Sequence, residues 1–493
     1  MQVKWATVRT DEAAILHGAT VEISGWMTSI DPSADAVDYF LLAADAPCCG
    51  GCIQANPLAC IEVYARAPVR QWADAIQLRG CLLRLVDDPA GWRYQLVDAV
   101  PLDASPLALE GRATRGAISR RGFLTSGAAL GLAACASGPF AGYREAPMPG
   151  NASGSETQAI GNAVQWQPNA TLPTIDMHSH GGRVTVSRDP AIGANRPFRP
   201  LAAPMRAGGM NVICLAIVTD TTVTRVSGDR KRFEAWRTPQ AGELYALGQA
   251  EFGRAHQLIE RERMQVVTNA ASLTAHAANG PCAIIAAEGG DFLEGNLDRV
   301  DEAYTLHQLR HLQLTHYRVN ELGDIQTEPP VHGGLSDFGA DVVRRCNSLG
   351  IVVDVAHGPY DLVKRAAATS TKPLVLSHSA LATHPGARSR LITPDHARVI
   401  AGTGGVVGVW PSSGTFRDLD GMAHGVKRMA DVVGVEHVGL GTDMLGFISP
   451  PVFTTYEQLP LLANALLSAG FTQDEVSAIL GGNYRRVFEM SVG

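Results

Sequence analysis

The chain has 493 residues, 46% of them hydrophobic and 18% charged, which is too long for one ordinary domain and too apolar for disorder. A formal net charge of −7 lacks the basic excess of a general phosphate-backbone binder, so nucleic acid is not expected as a partner. Nine cysteines are too few for a disulfide scaffold, and five of them, Cys48, Cys49, Cys52, Cys60 and Cys81, lie close together near the start of the chain.

Residues 1–105 carry short β-runs at Val21–Trp26, Asp38–Leu42, Cys60–Tyr64, Ala75–Val86 and Trp92–Val97, separated by Gly, Pro and Asp turns. They predict a small β-rich domain, an OB-like barrel. Such barrels often bind oligonucleotides, but acidic residues outnumber basic ones here and no stripe of aromatic and basic residues is present. Cys48-Cys49-Gly50-Gly51-Cys52, with Cys60 beyond, has thiol spacing compatible with a metal or redox site. The alternative is a set of reduced cysteines around a loop, since the second C-x-x-C of a zinc site is missing.

Composition then shifts. Arg112, Arg115, Arg120 and Arg121 precede an uncharged stretch from Gly122 to Tyr143, so residues 112–143 read as an export segment. Ser119-Arg120-Arg121-Gly122-Phe123-Leu124 resembles a twin-arginine signal, and Leu132-Ala133-Ala134-Cys135 resembles a lipobox ending in a lipidated cysteine. The stretch is rich in Gly, Ala, Ser and Thr and is broken by Pro139, which makes it a poor membrane span and a good signal core. An export signal works from an N-terminus. The exported form, periplasmic or extracellular and lipid-anchored through Cys135, is therefore expected to begin near Cys135, leaving residues 1–105 in the cytoplasm or outside the mature product. Residues 144–172, rich in Pro, Gly, Asn, Ser and Ala without periodicity, read as a flexible linker.

From residue 173 to 493, short apolar runs alternate with longer helical patterns. The runs are Thr174–Met177, Val212–Val218, Ala283–Ala287, Leu312–Thr315, Ile351–Val355, Pro373–Ser377, Gly405–Val409 and His437–Gly441. Eight such runs with helical spacers predict a (β/α)8 TIM-like barrel, and their continuous apolar character suits strands buried on both faces. Seven of them end in a polar or aromatic residue: His178 and His180, Glu288, His316, His357, His378, Trp410 and Asp443. The C-terminal ends of barrel strands are where active sites of this fold are built.

His178 and His180, two apart on a strand, project from one face, which is a chelating geometry. Glu288 is followed by Gly289-Gly290, which leave room beside a carboxylate able to bridge two cations, while His357 and His378 supply nitrogen ligands to the second. Nitrogen and carboxylate ligation suits a hydrolytic zinc site. Any one of these histidines alone would read as a hydrogen-bonded core or rim residue. Asp443 is placed to relay a proton to a leaving amine, the alternative being a helix N-cap. His316 is placed to stabilise an oxyanion, the alternative being support of another ligand. Arg390 could hold a substrate carboxylate with its two-pronged guanidinium, with Arg388 a competitor and a solvated loop arginine the alternative.

The ordered set His-x-His, Glu288-Gly-Gly, Leu314-Thr315-His316, His357, Ser377-His378-Ser379, Gly404 to Val409 and Gly439-Leu440-Gly441-Thr442-Asp443 resembles the membrane (renal) dipeptidase family of zinc peptidases, within the amidohydrolase superfamily. Gly481-Gly482-Asn483 with Arg486-Val487-Phe488 resembles its C-terminal signature. The resemblance implies a metallo-dipeptidase with two zinc ions: His178 and His180 on one, Glu288 bridging, His357 and His378 on the other. It also implies Asp443 as proton shuttle, His316 as a contact to the tetrahedral intermediate, and Arg390 as the contact to the carboxylate of a small peptide substrate. Barrels of this kind are often homodimers. The sequence departs from the family in two places: the first motif is usually His-x-Asp where His180 stands here, and the Arg-Asn pattern reads Arg390-Leu391. Alternatives to dipeptide hydrolysis are another amidohydrolase activity (amidase, deacylase or lactonase) or a barrel that binds without turnover.

Overall fold

The computed structural model describes residues 1–10, 12–28, 36–46, 59–70, 74–85, 93–102, 165–169, 171–188, 192–227, 232–382, 385–386, 388–448 and 451–493. They form two compact units. The export-like segment with Cys135, residues 144–164 and 170 of the expected linker, and Cys48, Cys49 and Cys52 lie outside the described residues. The end of that linker is packed, with Trp166 buried and its backbone N–H donating to Asn464 Oδ1 at 2.7 Å.

The first unit is a closed five-stranded barrel of β1 (Ala19–Thr28), β2 (Ala36–Ala43), β3 (Cys60–Arg70), β4 (Ile76–Arg84) and β5 (Tyr94–Pro101) in the order β1-β2-β3-β5-β4. All its pairings are antiparallel except β3 with β5. Alternate residues face inward, so Val21, Ile23, Phe40, Leu42, Ile61, Val63, Leu78, Leu82, Tyr94 and Leu96 make one small core. Gly25 and Gly80 mark where strands crowd: a Cβ on either would stand 2.5 Å from the Ala43 carbonyl oxygen or 2.8 Å from that of Val97. Cys60 is buried and Cys81 half-buried. The five expected strands are present, and the third continues past Tyr64 to Arg70.

The second unit is a parallel barrel. Its strands are β6 (Ile175–Ser179), β7 (Val212–Val218), β11 (Cys282–Glu288), β12 (Leu309–Gln313), β13 (Val352–Asp354), β14 (Val375–Ser379), β15 (Val406–Val409) and β16 (Val438–Leu440). They neighbour one another in chain order, each followed by helix, as right-handed crossovers require. Between β7 and β11 lie a two-stranded hairpin, β8 (Thr224–Val226) with β9 (Phe233–Ala235), and the short β10 (Gln265–Val266), which pairs with β11. Neither was expected. The fourth barrel strand also starts earlier than the apolar run Leu312–Thr315. Arg310 and His311 look polar, yet both are buried: Arg310 donates to the carbonyls of Thr268, Tyr304 and Leu309, and His311 bonds Asp354 and Tyr484.

The apolar side chains sort into two shells. One lies between sheet and helices. The other fills the barrel interior with Ile175, Met177, Val212, Cys214, Ile284, Val352, Val375 and Val406, closed off by Tyr484, Val487 and Phe488 of the last helix, Asn483–Val492. Because several of these residues begin their strands, the plug sits at the N-terminal end and leaves the C-terminal mouth for polar groups. Helices are started by side chains: Ser336, Thr393, Asp418 and Thr472 each accept a backbone N–H three residues on.

One buried acid stands on the long helix Glu243–Glu262. Glu251 accepts the Val186 N–H at 2.7 Å through Oε1, while Oε2 has no hydrogen-bond partner among the described residues. Burial pushes its carboxyl from 4.5 up to about 8 against the pull of the Val186 amide, Arg254 and Arg196. The folded chain therefore keeps a proton that the unfolded chain releases, and stability falls as pH rises through that window. Glu251→Gln is expected to gain melting temperature relative to the parent chain between about pH 5 and about pH 9. A difference in thermal unfolding that stays flat with pH would refute this account.

Candidate metal centre

At the C-terminal mouth of the barrel a single carboxylate is ringed by imidazoles. Glu288 ends β11. Its Oε1 lies 3.4 Å from His178 Nε2, 3.1 Å from His357 Nε2 and 3.5 Å from His378 Nε2. Its Oε2 lies 3.1 Å from His180 Nε2 and 3.2 Å from His316 Nε2. The imidazoles also face each other in pairs, His178 with His180 at 3.3 Å and His357 with His378 at 3.2 Å between Nε2 atoms. All six side chains are buried.

The far side of several rings is tied down. His180 Nδ1 donates to the Ala216 carbonyl at 2.8 Å, which leaves the lone pair on Nε2, and His378 Nδ1 meets the Ser377 hydroxyl at 2.9 Å. Three sets of groups have ligand atoms close enough to hold an ion: His178, His180 and Asp443; His178, Glu288 and His378; Glu288, His316 and His357. The structure thus brings His178, His180, Glu288, His357 and His378, the ligand candidates read on the barrel, into one cluster.

Charge follows this arrangement. Burial works to raise the Glu288 carboxyl, but His316 and His178 beside it, and hydrogen bonds from His178 and His180, hold it well below the usual carboxylate range. Burial drives His357 and His378 well below the ordinary imidazole value, so both are neutral. For His180 burial works the same way and loses: hydrogen bonds to Asp443 and Glu288 lift it to about 10.

Asp443 is buried, with Oδ1 3.3 Å from His180 Nε2, and stands in a loop after β16, so it is no helix N-cap. Its φ of +47° and the +68° of His357 are left-handed conformations that non-glycine residues rarely adopt. His316 is gripped from behind: Asp220 Oδ1 accepts its Nδ1–H at 2.8 Å, while Asp220 Oδ2 accepts the Tyr317 N–H at 3.2 Å. Burial opposes its charged form, yet Asp220 and Glu288 raise its pKa. Arg390 lies over the Trp410 ring, 5.4 Å from its centroid, and donates from Nη1 to Gln326 Oε1. Its buried Nε and Nη2 have no hydrogen-bond partner among the described residues. Arg388, the competitor, is exposed and lies 4.0 Å from Glu328.

Sequence reasoning missed Asp220, Tyr317 and Gln326. Asp220 had a visible signal. It follows Val218 by two residues, on the one apolar run that had been left without a polar end.

A parallel eight-stranded barrel with this histidine and carboxylate cluster at its mouth has the architecture of the amidohydrolases. The chain belongs to the membrane dipeptidase family, peptidase family M19, whose sequence profile matches residues 201–491. The match begins after β6, so His178 and His180 precede it. Among curated relatives, dipeptidase verJ of Clonostachys rogersoniana is 30% identical over 190 residues, covering 37% of this chain and 48% of the relative. Dipeptidase 3 of Mus musculus is 30% identical over 221 residues, covering 42% and 43%. The chain spans about half the length of the curated relatives it matches. Two solved structures share the fold. A metallopeptidase from Rhodobacter sphaeroides, liganded with a phosphinate mimic of L-Ala-D-Ala, superposes with a TM-score of 0.56 at 22% identity over 65% of this chain and 99% of that one. An amidohydrolase from Pseudomonas aeruginosa gives 0.50 at 20% identity, over 66% and 98%.

Proposed function

We propose that this chain hydrolyses dipeptides at a two-zinc centre, in an exported enzyme. The observation that carries this reading is the Glu288 carboxylate facing five imidazole Nε2 atoms at 3.1 to 3.5 Å. The donor set fits two zinc ions: imidazole nitrogen and carboxylate oxygen, with His180 Nδ1 spent on the Ala216 carbonyl so that Nε2 is the nitrogen turned to the cluster. His178 and His180 would hold one ion, His357 and His378 the other, and Glu288 would bridge. When bound, such ions supply Lewis acidity and make hydroxide available near neutral pH.

The remaining work falls to the chain's own groups. Arg390 presents Nε and Nη2, the two donors that a free α-carboxylate takes side by side, and Gln326 and Trp410 fix its plane. That anchor sets the scissile carbonyl over the cluster. His316 Nε2 then faces the oxygen on which negative charge develops, with Asp220 keeping the ring from rotating away. Asp443 accepts the attacking water's proton and returns it to the departing amine. The aromatic walls beside this path, Tyr317 against His357 and Phe447 against Trp410, keep bulk water out.

Zinc-loaded protein is expected to cleave a panel of L,L and L,D dipeptides and to lose that turnover in Glu288→Gln. Arg390→Gln should raise KM roughly 10- to 100-fold for dipeptides with a free carboxylate and leave C-terminally amidated ones unchanged. No cleavage by metal-loaded protein would refute the dipeptidase reading. Equal losses on acid and amide substrates would move the substrate to another amidohydrolase class.

Export rests on Arg120-Arg121 and the Leu132 to Cys135 string. Among the described residues no helix is long and apolar enough to cross a membrane. A lipid on Cys135 would supply the anchor that the lipobox reading calls for. Mass spectrometry of the membrane-associated protein from its native host is expected to find an acylated N-terminal Cys135. Recovery of Met1 on that protein would overturn it.

A further inference from the structure

The barrel sheet is stitched unevenly. Most neighbouring strands share three or more aligned pairs, but β13 and β14 share one, Asp354 with Val375. Closure of β16 onto β6 rests on an isolated bridge, Ser179 with Met444. At each of these thin joints a fully buried carboxylate crosses the gap. Asp176 of β6 accepts through Oδ1 the N–H groups of His178 at 3.2 Å and Thr442 at 2.9 Å. Its Oδ2 accepts the hydroxyls of Thr442 at 2.5 Å and Tyr456 at 2.7 Å. Asp354 of β13 repeats the device. Its Oδ1 accepts the N–H groups of Ala356 at 2.9 Å and Ser377 at 3.0 Å. Its Oδ2 accepts His311 Nε2–H at 3.1 Å, and His311 Nδ1 meets the Tyr484 hydroxyl at 2.8 Å.

In both cases the carboxylate grips the amide two residues further along its own chain segment and one amide across the joint. Each gripped amide belongs to a site residue or to the residue just before one: His178, then Thr442 before Asp443, Ala356 before His357, and Ser377 before His378. Two of those residues, His357 and Asp443, are the ones held in left-handed conformations. Such conformations persist only where the surroundings over-determine them.

We propose that Asp176 and Asp354 are positioning residues, each setting one half of the metal centre: Asp176 places His178, and with it His180 and Asp443, while Asp354 places His357 and His378. This rests on the two-ion reading above. Neither carboxylate reaches the reacting atoms; both act through the backbone that carries the ligands.

The test is a cobalt titration of the full chain, followed by visible absorption, with the two binding steps assigned by His180→Ala and His357→Ala. Asp354→Ala is expected to weaken the His357 and His378 step about 10- to 100-fold and to leave the other step in place, with Asp176→Ala doing the reverse. A merely structural carboxylate would lower the melting temperature without sorting the two steps. Should either alanine variant fail to fold, His311→Asn and Tyr456→Phe remove one support from each carboxylate and should reproduce the same sorting with smaller losses. Two ions bound normally by the parent chain, with folded variants weakening both steps equally or neither, would overturn the assignment alone. A parent chain that takes up no cobalt would bring down the two-ion reading together with it.

Discussion

The larger barrel depends on keeping Glu288 ionised where water does not reach. A carboxylate lacking compensation inside a protein would take up a proton rather than stay charged. Here five imidazoles compensate it, and they come from the ends of four different strands. The cluster therefore exists only in the closed barrel: His178 and His180 at its first strand meet Glu288 from the third and His378 from the sixth. Removing one partner from such a set leaves the others buried and unpaired, which is why its geometry and the fold stand or fall together.

The same constraint explains the rest of the polar interior. The last helix and the apolar side chains at the N-terminal end, Tyr484, Val487, Phe488 and their neighbours, keep water away from below. Above them lies a layer of carboxylates that accept backbone amides, Asp176 and Asp354, and above that the ring around Glu288. Asp220 serves His316 in the same way from the side. Burying these acids is tolerable because each has two or more donors on it, and backbone amides cannot wander as side-chain donors can.

How much of this was legible depended on what a residue does. Groups that face the mouth are spaced by strand geometry, so His178, His180, Glu288, His316, His357, His378 and Asp443 were readable as polar residues at the ends of apolar runs. Arg390 was harder, since a loop arginine beside Arg388 has no period to place it; only its seat over Trp410 and against Gln326 separates the two. Asp176 and Asp354 carry no such mark. Each reads as a polar break near a strand end, and its role depends on amides that arrive from elsewhere in the chain, Thr442 for Asp176 and Ser377 for Asp354. Arg310 and His311 misled in the opposite sense: their polarity delayed the expected start of β12, because buried partners that sequence does not display satisfy them. The hairpin of β8 and β9, with strands of three residues each, is too short to give a periodic signal.

His180 is where this chain parts from the His-x-Asp form of the motif, and its surroundings show how the change is accommodated. Exchanging a carboxylate for an imidazole removes one negative charge from the group around Glu288. The ring is turned so that Nδ1 is spent on the Ala216 carbonyl, and Nε2 faces Glu288 and Asp443 at 3.1 and 3.3 Å. Two carboxylates then lie against one nitrogen, which is why His180 rather than His357 or His378 is the ring pulled toward the charged form. A cation at this position would take over that role, because it draws on the same two carboxylates while His180 contributes a neutral nitrogen. The missing acid is thus offset by Asp443, which here faces His180 directly. Asp443 in turn owes its place to a left-handed backbone held next to the Asp176 grip, so the departure at His180 and the closure of the barrel at its weakest seam are one problem with one solution.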